Sequence, residues 1–263
     1  PQWRRTARER LGLARVAGLA VDHVIHASAE SATLITNQSL TKTVSTDSPL
    51  TSSELVPKRE RRKEARPGEL LDAALALFVE KGFAATRVEE VALRAGVSKG
   101  TLFLYFQSKE DLFKAVIHEN IASLFPTWNE EFNSFKGTSS DMLRYAMQTW
   151  WTRMGNTNAS GIAKLVMSEA QNFPEIAAFY QTEVIRPGNT LIRQILARGV
   201  NSGEFRPLDL DQAVYTVVAP MIFLMMWKHS MGACAASADI VDPERFIHLQ
   251  VDVLLHGMTA KPH

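Results

Sequence analysis

Between Val97 and Phe113 the chain reads VSKGTLFLYFQSKEDLF, and residues of two chemical kinds meet there. Ser98, Lys99, Gly100 and Thr101 supply a hydroxyl, an ammonium, an unhindered backbone and a second hydroxyl in succession. At the start of a helix such residues add to free backbone N–H groups and a positive partial charge, which together suit phosphate oxygens. An unbroken apolar run, Leu102 to Phe106, follows at once. Other chemistries find little to work with. The seven histidines include no H-E-x-x-H or other metal-ligand spacing, and none stands beside a nucleophile motif. Cys234 is the single cysteine, and its small apolar context GACAAS suits an inert thiol. A lone cysteine also excludes an intrachain disulfide. The chain contains neither a G-x-x-x-x-G-K-S/T loop nor a dinucleotide-binding glycine pattern. We therefore expect no enzyme, no metal and no cofactor.

The elements that must position this stretch are helical. PGELLDAALALFVEKGF places Leu70, Leu71, Ala74, Leu77 and Phe78 on one helical face, with Pro67 in the first turn and Gly82 as the stop. In TRVEEVALRAG, Thr86 and Glu89 have capping-box spacing, Val88, Val91, Ala92 and Ala95 share a face, and Gly96 ends the helix. Ser98 is expected to cap a third helix. Ser108, with Asp111, caps a fourth that runs through Phe125 until Pro126 stops it.

Two short helices joined by a Gly-containing turn make a helix-turn-helix. Ala92 is small where the helices cross, Gly96 permits positive φ, and Val97 and Leu102 plug the angle between them. Leu102, Phe103 and Phe106 are expected in the core, while Leu104 and Tyr105 face away. Outward Leu and Tyr beside Lys99 and Thr101 fit thymine methyls and phosphate oxygens. Thr86 to Val116 resembles the DNA-binding domain of the TetR family of transcriptional regulators, and LLDAALALFVEKGFAATRVEEVA matches that family's first helix and Gly-Phe turn. The family pattern usually carries Tyr where this chain has Phe103. The resemblance implies that Thr86, Lys99, Thr101, Tyr105 and Lys109 touch DNA backbone or base edges, and that Leu104 sets specificity. It implies an all-α fold, a helix-turn-helix domain over 67–116 and a helical effector-binding and dimerisation domain over 117–263.

Composition bounds the rest. With 263 residues, 46% hydrophobic and 22% charged, the chain has material for a sizeable core. Its net charge of +1 hides an asymmetry: residues 1–66 carry 12 Lys/Arg against 7 Asp/Glu, the remainder 17 against 21. Such a split points to a basic segment that meets an acidic partner. PKRERRKEAR, residues 57–66, is expected as a basic arm on DNA, with Arg61, Arg62 and Lys63 among its contacts. Residues 1–56 are Ser/Thr-rich without sustained period and are expected to be a disordered extension, translated from upstream of the natural start and dispensable. Their Arg-rich beginning superficially resembles a targeting peptide, yet no cleavage-site pattern follows.

Beyond Pro126, helices are expected over 139–155, 161–172, 175–203 with a kink or split at Pro187, 210–231 and 243–257. Residues 172–207 resemble the AefR-like subgroup of the family. The run from Ala213 to Trp227 is broken by Thr216 and Pro220 and is shorter than a bilayer crossing, so a buried helix and a cytoplasmic, membrane-free protein are expected. The apolar faces of the last two helices, Val218 and Val251 among them, suit a homodimer, which a two-fold symmetric operator requires. Trp150, Trp151, Met154, Phe179 and Met221 are the candidate lining of a pocket for an apolar or amphipathic effector. The sequence leaves open a repressor, an activator, or an architectural DNA binder without effector.

Overall fold

The computed structural model describes residues 58–234 and 241–260, with side chains from Pro67 onward. The 1–56 extension lies outside the described residues. Contacts divide the chain at Arg61, and the unit from Arg62 onward carries the fold described here. Among the described residues eleven α-helices form the frame: α1 Lys58–Lys81, α2 Val88–Arg94, α3 Lys99–Phe103, α4 Lys109–Asn120, α5 Phe125–Asn133, α6 Ser139–Trp150, α7 Ser160–Glu169, α8 Pro174–Tyr180, α9 Arg186–Asn201, α10 Leu210–Lys228 and α11 Pro243–Met258. Among the described residues there is no strand, only an isolated antiparallel bridge between Phe205 and Thr259. The all-α expectation holds.

Local signals set most boundaries. Gly82 closes α1 at φ 88° and Gly96 closes the α2 turn at φ 68°, a region that favours glycine. Ser98 and Ser108 accept the backbone N–H groups of Thr101 and Asp111 at 3.1 and 3.0 Å, the expected caps of α3 and α4. Three boundaries differ from expectation. Pro67 lies inside α1, because the charged stretch before it is helical and the helix is 24 residues long. Helix α2 begins at Val88 with Arg87 as its cap, and the Arg87 N–H donates to Glu90 at 3.4 Å. Pro126 does not end α4. That helix stops at Asn120, a short 3-10 turn follows, and Pro126 stands in the first turn of α5, where its missing N–H costs nothing.

The core of the N-terminal part is an aromatic triad. Phe78, Phe83 and Phe113 are fully buried, with ring centroids 4.9–5.5 Å apart. Phe173, just before α8, meets Phe83 edge-on at 4.7 Å and joins this triad to the C-terminal helices. There α10 packs against α9, α7 and α11, and α11 against α6. By length and composition α10 could cross a membrane. Its apolarity has another explanation: Val214, Val217, Met221, Leu224 and Met225 are buried in the domain, while Tyr215 and Phe223 lie on its outer side. Two single turns of π-helix, Trp151–Gly155 and Gln181–Ile185, widen the chain after α6 and α8. The second precedes Pro187 and accounts for the split expected there.

Candidate nucleic-acid interface

The crossing of α2 and α3 is tight because Ala92 is buried and the Val97 N–H bonds back to its carbonyl at 2.9 Å. Leu102 is fully buried and anchors α3 against the core. With that side fixed, the N-terminal end of α3 faces outward. Ser98, Lys99 and Gly100 are exposed and Thr101 half-exposed, with the Ser98 and Thr101 hydroxyls 2.9 Å apart. Leu104 is 83% exposed, the most exposed of the large apolar residues here. Tyr105 is half-buried and leans toward Phe106, which is in the core. Phe103 departs from expectation. Neighbouring helical residues point about 100° apart, and with Leu102 turned into the core Phe103 is exposed, its ring lying under the Lys99 ammonium at 5.7 Å.

Two expected DNA contacts have other tasks in this structure. Thr86 is buried, and its hydroxyl donates to the carbonyls of Gly82 (2.7 Å) and Leu77 (3.2 Å), fastening the α1–α2 turn. The Lys109 ammonium donates to the carbonyls of Phe83, Ala84 and Thr86 at 2.8, 3.1 and 3.2 Å, and sits 4.5 Å above the Phe83 ring. A lysine has three N–H donors and all three are engaged, so Lys109 is a strut of that turn. The helix containing Arg61, Arg62 and Lys63 is described, but their side chains lie outside the described residues.

Four of the six cations of the unit are paired with carboxylates. Residues 67–116 hold six Lys/Arg and seven Asp/Glu. Lys81 pairs with Glu90 (3.0 Å), Arg94 with Glu80 (2.9 Å), Lys99 with Glu89 (2.6 Å) and Lys114 with Glu175 (3.7 Å). The hydrogen bond from Lys99, and the backbone N–H at the helix start, hold the Glu89 carboxyl below its ordinary pKa. Arg87 is exposed at the cap of α2, with no ion pair among the described residues. Sequence reading placed Glu89 in a capping box with Thr86 and missed its pairing with Lys99, and it missed Arg87 as the cap. The acidic first turn of α2 was visible, but not which cation it would meet.

Comparison with known proteins gives the helix-turn-helix its context. Residues 70–116 match the family described as bacterial regulatory proteins, tetR family, and residues 136–258 match the tetracyclin repressor-like C-terminal domain. The HTH-type transcriptional repressor KstR2 of Rhodococcus jostii is 31% identical over 203 residues, 76% of this chain and 94% of that protein. The chain belongs to the TetR family. It is a DNA-binding transcriptional regulator. Another relative, the fatty acid metabolism regulator protein of Bacillus subtilis, is 26% identical over 152 residues, 55% of this chain and 74% of its own. The fold agrees with the fatty acid degradation regulator FadR of Bacillus halodurans, with TM-score 0.61 and 21% identity, covering 72% of this chain and 94% of that one. It also agrees with FadR of Bacillus subtilis in complex with stearoyl-CoA, with TM-score 0.57 and 22% identity, over 72% and 98% of the two chains.

In the C-terminal domain of this TetR-family chain, the five expected pocket residues do not share one described wall. Trp151, Met154 and Met221 are buried, while Trp150 and Phe179 are half-buried against the core. A cavity of about 320 Å³ lies between the end of α6 and α11, and of the five only Trp151 lines it, with Gln148, Thr152, Glu244, Ile247 and His248. Trp151 is held from the other side by Lys228, whose ammonium lies 5.7 Å from its ring and donates to the carbonyls of Gly155 and Thr157. Burial lowers the pKa of Lys228. The buried Trp128 has an indole N–H with no partner, a donor that sequence reading counted only as apolar bulk.

Proposed function

We propose that the protein is a homodimeric repressor that holds a two-fold symmetric operator and releases it when an apolar or amphipathic effector occupies the C-terminal domain. The observation that carries the reading is the outward end of α3. Its free N–H groups, Ser98, Lys99, Gly100 and Thr101 offer phosphate contacts, and the exposed Leu104 offers an apolar surface to thymine methyls. Tyr105 and the basic residues Arg61, Arg62 and Lys63 are assigned backbone contacts on the same reading. Thr86 and Lys109 act on DNA only through the turn they hold.

The dimer reading is supported by Tyr215 and Phe223 of α10 and Leu249 and Val253 of α11, all large apolar side chains left exposed. The effector reading is supported by the apolar interior and by an unpaired buried donor at Trp128, a group that ordinarily has a partner. The stearoyl-CoA of the Bacillus subtilis FadR structure supports a large amphipathic effector class here. Trp150, Trp151, Met154, Phe179 and Met221 stay as the proposed lining. The AefR-like character of residues 172–207, a cytoplasmic location and the absence of enzymatic activity belong to the same proposal. Genomic footprinting tests it. We expect protection of a palindrome whose half-sites lie about one helical turn apart, bound by a dimer and released by stearoyl-CoA or another apolar or amphipathic metabolite. Protection of an asymmetric site by a monomer, or release by no compound, counts against the respective halves of the reading.

A further inference from the structure

We propose that Glu89 is a charge gate on the reading helix, a carboxylate that holds the Lys99 ammonium away from phosphate until α3 is seated in a groove. The proposal rests on α3 being the helix that faces DNA. Lys99 is the one cation of residues 67–116 at the leading end of α3, and in the free protein it is doubly engaged. Its Nζ lies 2.6 Å from the Glu89 carboxylate and 5.7 Å from the centroid of the exposed Phe103 ring. Glu89 stands in the first turn of α2, so the pair bridges the two helices of the motif. Of the other cations of the unit, Lys81 and Arg94 are paired with Glu90 and Glu80, Lys114 reaches the exposed Glu175 only at 3.7 Å, Lys109 is held by three carbonyls, and Arg87, at the cap of α2, has no ion pair among the described residues.

The consequence is electrostatic. A helix-turn-helix with seven acidic and six basic residues meets arbitrary DNA with little net attraction of its own. Affinity for any duplex comes from phosphates neutralised by free Lys and Arg, each with its released counterions. A lysine that must first leave a carboxylate gives less, and the freed carboxylate then stands near phosphate. Both effects weaken unspecific binding and leave discrimination to the uncharged contacts of Leu104 and Thr101, a repulsive element that serves specificity. Phe103 fits the same arrangement, since a ring face without a hydroxyl holds the ammonium by its quadrupole alone. The pair is half-exposed on both sides, so it opens readily.

The test is binding of the full-length protein to a short duplex of scrambled sequence, followed by fluorescence anisotropy over a range of potassium chloride. Glu89→Gln is expected to bind about two- to fivefold tighter than wild type, the span of an exposed ion pair, with a salt slope steeper by about one counterion. Glu89→Asp, with its carboxylate drawn back by a methylene, should fall between the two. Lys99→Met should bind more weakly, and in that background Glu89→Gln should gain nothing. Equal affinity and slope for Glu89→Gln and wild type overturn the gate. So does an equal gain in the Lys99→Met background, which would make Glu89 a distant repulsive charge. If Lys99→Met alone changes nothing, α3 does not lead on DNA, and the assignment of the reading helix falls together with the gate.

Discussion

The helix-turn-helix and the C-terminal helices are held by interactions of different reach. In the first, the caps and turns that define the motif close within five residues: Ser98 to Thr101, Ser108 to Asp111, Ala92 to Val97 around Gly96. In the second, long-range polar contacts tie one helix end to another. The Glu204 carboxylate receives the N–H groups of Ser139 (2.7 Å) and Ser140 (2.9 Å) at the start of α6, 65 and 64 residues away. Lys164 of α7 caps the end of α10 through the His229 carbonyl, and Lys228 caps the turn after α6 through Gly155, 73 residues away. Reach decides what a sequence discloses. A local cap is written in neighbouring letters, whereas a strut between distant helix ends is written in two places with nothing to link them.

The largest effect should come from confusing the two sides of α11. Val251 was expected on a shared subunit face, but it is buried in its own domain at 3% exposure, while Leu249 and Val253, at 62% each, are turned out. Val251→Asp buries an unpaired charge and is expected to cost about 3–5 kcal/mol, giving insoluble or unfolded protein by circular dichroism. Leu249→Arg should leave the helical signal and melting temperature near wild type and shift sedimentation toward monomer. A Leu249→Arg protein that stays dimeric at micromolar concentration would place the subunit contact on another face.

Lys109 separates a strut from a DNA contact. Lys109→Met keeps the stem and removes three hydrogen bonds to carbonyls of the α1–α2 turn. We expect a loss of about 2–3 kcal/mol in urea denaturation, with weaker DNA binding as a result. An unchanged midpoint with weakened binding would restore the phosphate role that sequence resemblance implied. The case shows where legibility ended. The caps Ser98 and Ser108, the turns at Gly82 and Gly96 and the crossing at Ala92 were all readable because each needs only its neighbours. The holding roles of Lys109 and Thr86 were not legible because their partners lie 23–26 and 4–9 residues away across a turn. Phe103 was misread because a run of five apolar residues does not say which of two neighbours, about 100° apart on a helix, is turned to the core. In the C-terminal domain, helix positions were readable from periodicity, but α10 is apolar nearly all round, so its buried and outward sides could not be told apart.

Glu204 tests the long-range side of the comparison. Burial opposes its ionisation, but the hydrogen bonds from Ser140 and Ser139 outweigh burial and hold its pKa below the ordinary glutamate value. Glu204→Ala leaves two N–H groups at the start of α6 without their partner and should lower stability by about 2 kcal/mol at neutral pH. A depressed carboxylate gives stability above its unfolded pKa, about 4.3, and that contribution disappears as pH falls through the folded value. Wild type and variant should therefore converge in urea midpoint at acid pH. A gap that persists there would mean the loss is packing, not charge.

The smallest effect, and the one most particular to the distant contacts, belongs to His229. The Ser160 hydroxyl donates to the Thr157 carbonyl at 2.7 Å, so it must accept from His229, whose Nε2 lies 2.7 Å away. That fixes the proton on Nε2 and ties the end of α10 to the start of α7. Burial lowers the imidazole pKa, and the Lys228 and Lys164 ammonium groups lower it further. The sign follows. Below the unfolded value of about 6.5, the unfolded chain takes up a proton that the folded ring resists, so stability is complete above that pH and declines beneath it. This window lies well above that of Glu204, so the two are separable in one titration. His229→Gln keeps a donor for Ser160 and removes the titration. Its urea midpoint should stay level from pH 7 to 5.5 while that of wild type falls. If both fall in parallel, the acid sensitivity in that range comes from another group, and the α7–α10 contact is insensitive to protonation.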